Sequence, residues 1–366
     1  MKPSRRTPRF FSITFRMLLV LTSCAMLLSY ISIYINPSHF ALPMFFGLFF
    51  IPIAFINLFL LAVALARGSR SAWIPLITLL PVLLFAESFF KIGNGEMQEE
   101  AGKGLKIESY NIGMFASSQN GQTREECCRQ IAGHLREENP AIVCFQEFYV
   151  ADYRECDSFL AAEYPYRFYR LFRTRDNHLF GNMILSRCPI VEKGSITFPS
   201  STNLSIFADL KIGEDTIRIY NNHLESYNIS FTSIIKKWAG SQQLIEMHEK
   251  MKGTTIKRSD QVNTILENIE SSRHPVIICG DFNDTPISYT YHKLAQGRKD
   301  SFREAGKGFA ATFAPAWPLL RIDYILFPKQ FRGISHTTPR TGFSDHYPVI
   351  AEIDYRNATE YGETNQ

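Results

Sequence analysis

Pro275-Val276-Ile277-Ile278-Cys279-Gly280-Asp281-Phe282-Asn283-Asp284 is the stretch on which the fold turns. A short apolar run bounded by glycine reads as a buried strand. The acids and amide that follow sit on a tight turn at the strand's end. Downstream, Ser344-Asp345-His346-Tyr347-Pro348-Val349 places acid and imidazole before another apolar run. Upstream, His223 closes Asn221-Asn222-His223-Leu224, and Glu147 closes Cys144-Phe145-Gln146-Glu147. Side chains of these types at strand ends can converge on a metal and a phosphate. The combination predicts metal-dependent cleavage of a phosphate ester or anhydride.

Around these clusters the chain alternates strands and helices. Strands are expected at residues 105–111, 141–145, 182–186, 205–210, 216–222, 276–279, 321–327 and 347–353, with helices at 124–138 and 258–269. Many β-branched strands with a few interleaved helices predict an α+β sandwich whose site lies at the strand ends.

The front of the chain is different. Residues 17–90 are dominated by Leu, Ile, Phe and Ala, and Glu87 is their only acid. Three apolar runs, 17–35, 42–66 and 73–90, match the ~20 residues a bilayer-spanning helix needs. Pro75 and Pro81 lie in the third, which membrane helices tolerate. The competing reading is one signal anchor followed by buried soluble helices. A cleaved signal peptide does not suit so long an apolar region. The expected organisation is a membrane anchor at 1–90 with about three transmembrane helices, a linker at 91–104, and a catalytic domain at 105–366.

Lys2, Arg5, Arg6, Arg9 and Arg16 precede the first run, and Arg67 and Arg70 lie between the second and third. The positive-inside rule puts those segments in the cytoplasm. The catalytic domain is then extracytoplasmic, on a multi-pass protein of the cell membrane. The chain's net charge of +4 misleads, because residues 91–366 hold 32 basic against 34 acidic residues. A nucleic-acid binder usually carries a basic surplus. The local patch Arg167, Arg170, Arg173, Arg175 is the one feature pointing the other way. Cys144 and Cys279 sit in apolar runs and read as buried and inert, whereas Cys127, Cys128, Cys156 and Cys188 are candidates for disulfides in an oxidising compartment.

The ordered motifs Ser109-Tyr110-Asn111, Phe145-Gln146-Glu147, Gly181-Asn182-Met183-Ile184-Leu185-Ser186-Arg187, Asn222-His223-Leu224, Gly280-Asp281-Phe282-Asn283, Arg321-Ile322-Asp323-Tyr324 and Ser344-Asp345-His346 resemble the endonuclease/exonuclease/phosphatase superfamily. The likeness covers about residues 105–354. It implies a four-layer α/β/β/α sandwich of two packed sheets. It implies that Glu147 binds a divalent metal, Mg²⁺ or else Mn²⁺, with Asn111 and Asp345 completing the shell. Asp281 matches the residue that positions or deprotonates the attacking water. Asn283 would hold a phosphate oxygen, and His346, oriented by Asp323, would stabilise the phosphate. His223 would lie near the leaving group or the phosphate. Asn182 is a candidate substrate contact, or an asparagine that shapes a turn. The chemistry stands without the family. A phosphate surrounded by negative charge needs a cation and histidines against the charge of the transition state, and an Asp to align water.

Two segments depart from the pattern. Residues 225–257 combine Ile229, Phe231, Ile234, Ile235 and Trp238 with Lys236 and Lys237, which suits either a helix against a membrane interface or an ordinary packed helix. Ala314-Pro315-Ala316-Trp317-Pro318 faintly resembles a stretch of inositol phosphatases but lacks the Cys-Asp that follows there. No inositide substrate is inferred.

A site tethered at a bilayer meets lipid head groups at high effective concentration. Membrane-anchored bacterial members of the superfamily with this layout act on lipid-linked pyrophosphates. The leading expectation is an extracytoplasmic phosphatase or phosphodiesterase for a membrane lipid phosphate, a polyprenyl diphosphate first and a sphingomyelin-like lipid next. A tethered nuclease is the alternative. A non-enzymatic binding module ranks last, because the catalytic set is intact. No protein partner is inferred.

Overall fold

The computed structural model describes residues 9–92, 104–115, 121–227 and 241–356. Five helices, α1 (Arg9–Ile31), α2 (Leu42–Leu48), α3 (Phe50–Ala66), α4 (Trp73–Leu79) and α5 (Val82–Phe85), form the front unit, and strand β1 (Phe90–Lys91) leaves it. The chain then runs through β2 (Leu105–Asn111), α6 (Arg124–Glu138), β3 (Ile142–Val150), α7 (Tyr153–Ser158), β4 (Tyr166–Arg173), β5 (Leu179–Ser186), β6 (Ile190–Thr197), β7 (Leu204–Ile212) and β8 (Asp215–His223). It continues as α8 (Ser241–Glu270), β9 (Val276–Asp281), α9 (Tyr289–Ala295), β10 (Arg298–Asp300), α10 (Ser301–Ala305), β11 (Gly308–Phe309), β12 (Asp323–Pro328), β13 (Arg332–Thr337) and β14 (Val349–Asp354).

Two six-stranded sheets result, ordered β13-β14-β2-β3-β5-β4 and β10-β12-β9-β8-β7-β6. Each has one parallel pair at its centre, β2 with β3 and β8 with β9, and antiparallel neighbours elsewhere. A parallel pair needs a long crossover, and α6 and α8 provide one each. Alternation along the strands sorts side chains into layers. Ile142 and Cys144 of β3 meet Ile277 and Cys279 of β9 between the sheets. Val143 and Phe145 turn outward onto Cys127, Ile131 and Leu135 of α6. Ile278 and Tyr220 turn outward onto Val262, Ile265 and Ile269 of α8. The expected sandwich of two sheets with helices outside is therefore present.

Several elements differ from expectation. Helix α8 starts at Ser241, well before residue 258, so residues 241–257, the later part of the segment read as an interfacial or a packed helix, join the helix expected at 258–269. Residues 228–240, with the apolar and lysine cluster, lie outside the described residues. Strand β4 was hidden because Arg167, Arg170 and Arg173 interrupt its apolar pattern; it is a sheet edge, where such residues have an exposed side to occupy. All seven cysteines are free thiols, so no disulfide pairs Cys127, Cys128, Cys156 or Cys188.

The front unit corrects the expectation of three simple spans. Ser12–Ile31 and Arg70–Ser88 are each long and apolar enough to cross a membrane. The middle run is two helices, α2 and α3, bent by 73°. Pro52 explains the break. A proline lacks the N–H for the helical ladder, and its ring collides with the carbonyl four residues earlier, which here is that of Leu48, the last residue of α2. A third span exists only if the bent pair is counted as one. Large apolar side chains such as Leu21, Phe59 and Leu84 point outward from this unit. Inside it, Asn57 donates to the carbonyls of Thr22 and Ile53 and accepts from Ser23. Helices apolar on the outside and joined by buried hydrogen bonds within are what a bilayer selects.

The front unit is packed on the sandwich rather than strung beside it. Ile287, six residues after Asp281, inserts among Met26, Ile33 and Phe50. Ser32 Oγ donates to the Ile287 carbonyl at 3.0 Å. Gly47 permits this approach: a Cβ there would stand 2.4 Å from the same carbonyl oxygen. Strand β1 pairs with β11, and Arg321 donates to the Ser88 carbonyl.

Candidate active site

The two parallel pairs end side by side, and their last residues build the site. Asn111 ends β2, His223 ends β8 and Asp281 ends β9. His223 and Asp281 are register partners across the β8–β9 pair. Gly280 allows the two backbones to come this close. Its φ is +134°, and a Cβ would lie 2.0 Å from the Asn222 carbonyl oxygen. Glu147 arrives by a different device. The β3–β5 register shifts between Phe145 and Phe148, and Glu147 has φ +54° within that irregularity. A bulge of this kind re-aims one side chain out of the alternation.

Asn111 Nδ2 bridges two acids, donating to Glu147 Oε1 at 3.2 Å and to Asp281 Oδ2 at 3.0 Å. His223 Nε2 lies 3.5 Å from Glu147 and 4.0 Å from Asp281. His346 Nε2 lies 3.8 Å from Asp281, while its Nδ1 is held by Asp323 at 3.0 Å. Eight of the nine expected site residues thus have placements within or bordering one cluster. Asp345 lies at its rim: its side chain is exposed, receives a bond from Ser344 Oγ, and adds to the negative field at Glu147.

Asn283 and Asn182 are more committed than the sequence implied. Asn283, with φ +52°, donates its amide to the Leu224 carbonyl and to Asp281 Oδ2. Contact with a phosphate requires one of these bonds to exchange. Asn182 is fully buried and donates both ways across the sandwich, to the carbonyls of Leu204 and Asn221. Its geometry is that of an inter-sheet brace, with its donors inside the fold.

The same brace includes residues whose roles the sequence reading left unassigned. Asn221 donates to the carbonyls of Phe145 and Met183, and Gln146 Nε2 donates to Asn221 Oδ1 at 2.7 Å. Asn222 donates to the Cys279 carbonyl and accepts from Ser205. Consecutive amides inside strands that are otherwise apolar were the available signal. Their donors bond to one another and to backbone carbonyls beneath the site, linking the strands of the two sheets, while the oxygens of Gln146 and Asn182 stay unpaired among the described residues.

Burial sets the protonation states. It pushes the Asp281 carboxyl up to about 6, with the charge of Asp323 adding to the effect and His346 and His223 opposing it. Burial also raises Glu147, against the field of His346 and the bond from Asn111. Burial alone would lower His346, but the charges of Asp323 and Asp281 outweigh it and hold the imidazole well above its ordinary value. His223 is lowered by burial, and both of its ring nitrogens are buried without hydrogen-bond partners. The site therefore pairs a protonated histidine with a neutral one, beside an acid poised to take a proton.

The donor set suits a divalent cation. Glu147, Asp281, Asp323 and Asp345 bring four carboxylates to one cluster, and ligand atoms of Asp281, Asp323 and His346 lie within 4.8 Å of one another. Asp323 and His346 are already joined to each other. Glu147, partly exposed and raised by burial, is a carboxylate whose charged form a cation would favour. Asn111 turns its N–H side toward the acids while its Oδ1 accepts from Gly113, so ligation through oxygen requires its amide to rotate.

The sequence profile of the Endonuclease/Exonuclease/phosphatase family matches residues 109–346, from β2 to His346 before β14. The chain belongs to this family. It is accordingly an enzyme that hydrolyses phosphate esters, in a family that typically uses a divalent metal. A second profile, for a domain of unknown function, matches residues 10–89, the front unit. Among solved structures, an endonuclease/exonuclease/phosphatase from Beutenbergia cavernae is similar at TM-score 0.51 and 18% identity, over 68% of this chain and 71% of that one. A family protein from Leptotrichia buccalis is similar at TM-score 0.51 and 16% identity, over 69% of this chain and 100% of that one. Among proteins of curated function, none matches.

Proposed function

We propose that this enzyme is a membrane-embedded, Mg²⁺-dependent phosphatase or phosphodiesterase for a lipid phosphate, acting on the extracytoplasmic face. A polyprenyl diphosphate is the first substrate class and a sphingomyelin-like lipid the second. One observation carries the reading: the apolar helices seat Ile287, six residues from Asp281, and so hold the catalytic loop at a set place beside the membrane unit. A tether serving soluble or polymeric substrates has no need of such a seat.

In this reading Glu147 and its neighbours would hold a divalent cation, which would supply Lewis-acid charge at the phosphate. The protein's own groups do the rest. Asp281 aligns the attacking water and takes its proton. Protonated His346, held in orientation by Asp323, donates to a phosphate oxygen as charge builds there. Neutral His223, with both ring nitrogens free, faces the leaving group or the phosphate.

The nuclease reading draws on the arginines of β4. Arg167 donates to the backbone carbonyls of Cys156, Asp157, Phe159 and Tyr164, and Arg173 to Asn177. These two are structural clasps, which weakens the case for a basic groove.

The test is hydrolysis by the full chain in nanodiscs with Mg²⁺, offered a polyprenyl diphosphate, sphingomyelin and plasmid DNA, with Asp281→Ala and His223→Ala as controls. Lipid turnover lost in both variants, with DNA intact, supports the proposal. DNA nicking with inert lipids overturns it.

A further inference from the structure

An exposed row of rings leads from the last apolar helix to the catalytic histidine. Phe90 lies two residues beyond the apolar stretch Arg70–Ser88. Its ring centroid is 5.1 Å from that of Phe309, and Phe309 is 5.8 Å from Trp317. The Arg340 guanidinium lies over Trp317 at 3.9 Å. Phe90 is 46% exposed, Phe309 51% and Trp317 38%. Single exposed apolar residues are ordinary, but a contiguous row is not.

The row is wired to the active site by the strap on which Phe309 and Trp317 lie. Ala310 N donates to the Phe89 carbonyl at the membrane end. At the other end Phe313 bridges to His346, their rings 5.2 Å apart, and Ala314 N donates to the Asp345 carbonyl. Between them, Thr312 Oγ1 accepts from the N–H groups of Ile322 and Asp323.

We propose that Phe90, Phe309 and Trp317 form a subsite for the hydrocarbon chain of the substrate lipid, next to its phosphate. The inference rests on the lipid-phosphate reading and adds the residues that recognise the chain. Three features favour this occupant. The row continues directly from the outward-facing apolar helices. Aromatic rings capped by an arginine are the side chains that settle at a bilayer interface. The strap leads from that interface to the histidine expected to hold the phosphate, so a lipid can lie along it with its head group at the chemistry.

The experiment uses the full chain in nanodiscs with Mg²⁺ and three substrates: a long polyprenyl diphosphate, farnesyl diphosphate and the chain-free bis(p-nitrophenyl) phosphate. In Trp317→Ala and Phe309→Ala, KM for the long lipid should rise about tenfold, from the lost apolar contact. The kcat should stay within about twofold, and the chain-free substrate should be unaffected. Trp317→Phe should restore the lower KM. Equal losses on all three substrates would mean a merely structural role and would overturn the subsite. So would unchanged kinetics throughout. A second measurement separates this failure from failure of the lipid reading. Brominated-chain phosphatidic acid should quench wild-type tryptophan fluorescence more than that of Trp317→Phe. Equal quenching overturns the subsite, whereas wild-type inactivity toward every lipid phosphate overturns the function and leaves the chain contact to the quenching result.

Discussion

The two sheets are built on one plan and carry different chemistry. Each has a central parallel pair joined by an outer helix, β2-α6-β3 in one and β8-α8-β9 in the other. The first delivers Asn111 and Glu147, and a bulge leaves Glu147 partly exposed. The second delivers His223 and Asp281, both buried, with protonation shifted by burial and mutual charge. One strand plan thus brings an acid and an amide from one sheet against an acid and an imidazole from the other; in the proposed reading the first pair favours a cation and the second handles the proton of the water. The second sheet is also the one seated on the front unit, through Ile287 after β9 and Arg321 before β12.

The sharpest way to break this division is to exchange the acids' roles. Asp281→Asn should lower kcat about a thousandfold, because proton transfer is lost, while leaving the midpoint of Mg²⁺ activation close to wild type. Glu147→Gln should lower activity about a hundredfold at fixed Mg²⁺ and move that midpoint upward. Metal titrations of hydrolysis rate read both. If the midpoint moves with Asp281 and not with Glu147, the assignment is reversed.

The next prediction tests the seat under the second sheet. Gly47→Ala places a methyl 2.4 Å from the Ile287 carbonyl and 2.3 Å from Ser32 Oγ. The loop after Asp281 must move, and a small displacement of catalytic groups is costly. We expect kcat to fall about tenfold on a chain-free phosphodiester. The melting temperature of the sandwich should change little. A variant with normal kcat would show that the front unit docks on the sandwich without shaping its site.

The sequence made many of the candidate site residues legible because they sit where an apolar strand meets a polar turn. Asp281 after Val276-Ile277-Ile278-Cys279 is the clearest case. It could not show how Glu147 is aimed, since a bulge is a register relation between β3 and β5 and leaves no local pattern. The bend at Phe49 was readable in hindsight from Pro52, but the unbroken hydropathy of residues 42–66 masked it. The seat was invisible. Ser32 and Ile287 are 255 residues apart, and serine, glycine and isoleucine carry no signature of docking. Phe90 and Phe309 are likewise brought together only by the pairing of β1 with β11, and Trp317 reaches Phe309 from the strap that follows.

The smallest effect is expected in the first sheet, away from the chemistry. Glu108 of β2 is buried with His134 of α6, Nε2 to Oε1 at 3.0 Å. Burial raises the Glu108 carboxyl despite the histidine. Burial alone would lower His134, but the bond and charge of Glu108 bring its net shift upward. A base raised in the folded state contributes stability below its unfolded value, and that contribution is lost as pH rises through the folded value. An acid raised in the folded state acts in the same direction, because ionising it costs more in the fold than in the unfolded chain. Both groups therefore make stability decline as pH rises from mildly acidic to just above neutral. Glu108→Gln removes the acid and the charge that raises His134. It should flatten this decline, since the raised acid is removed and the histidine loses the partner that raises it. Thermal melts at pH 5 and pH 8 in metal-free buffer, compared between wild type and variant, read the difference. An unchanged pH dependence would show that Glu108 and His134 take up protons alike in the folded and unfolded chain, and that the pair serves only as a hydrogen-bonded spacer between α6 and β2.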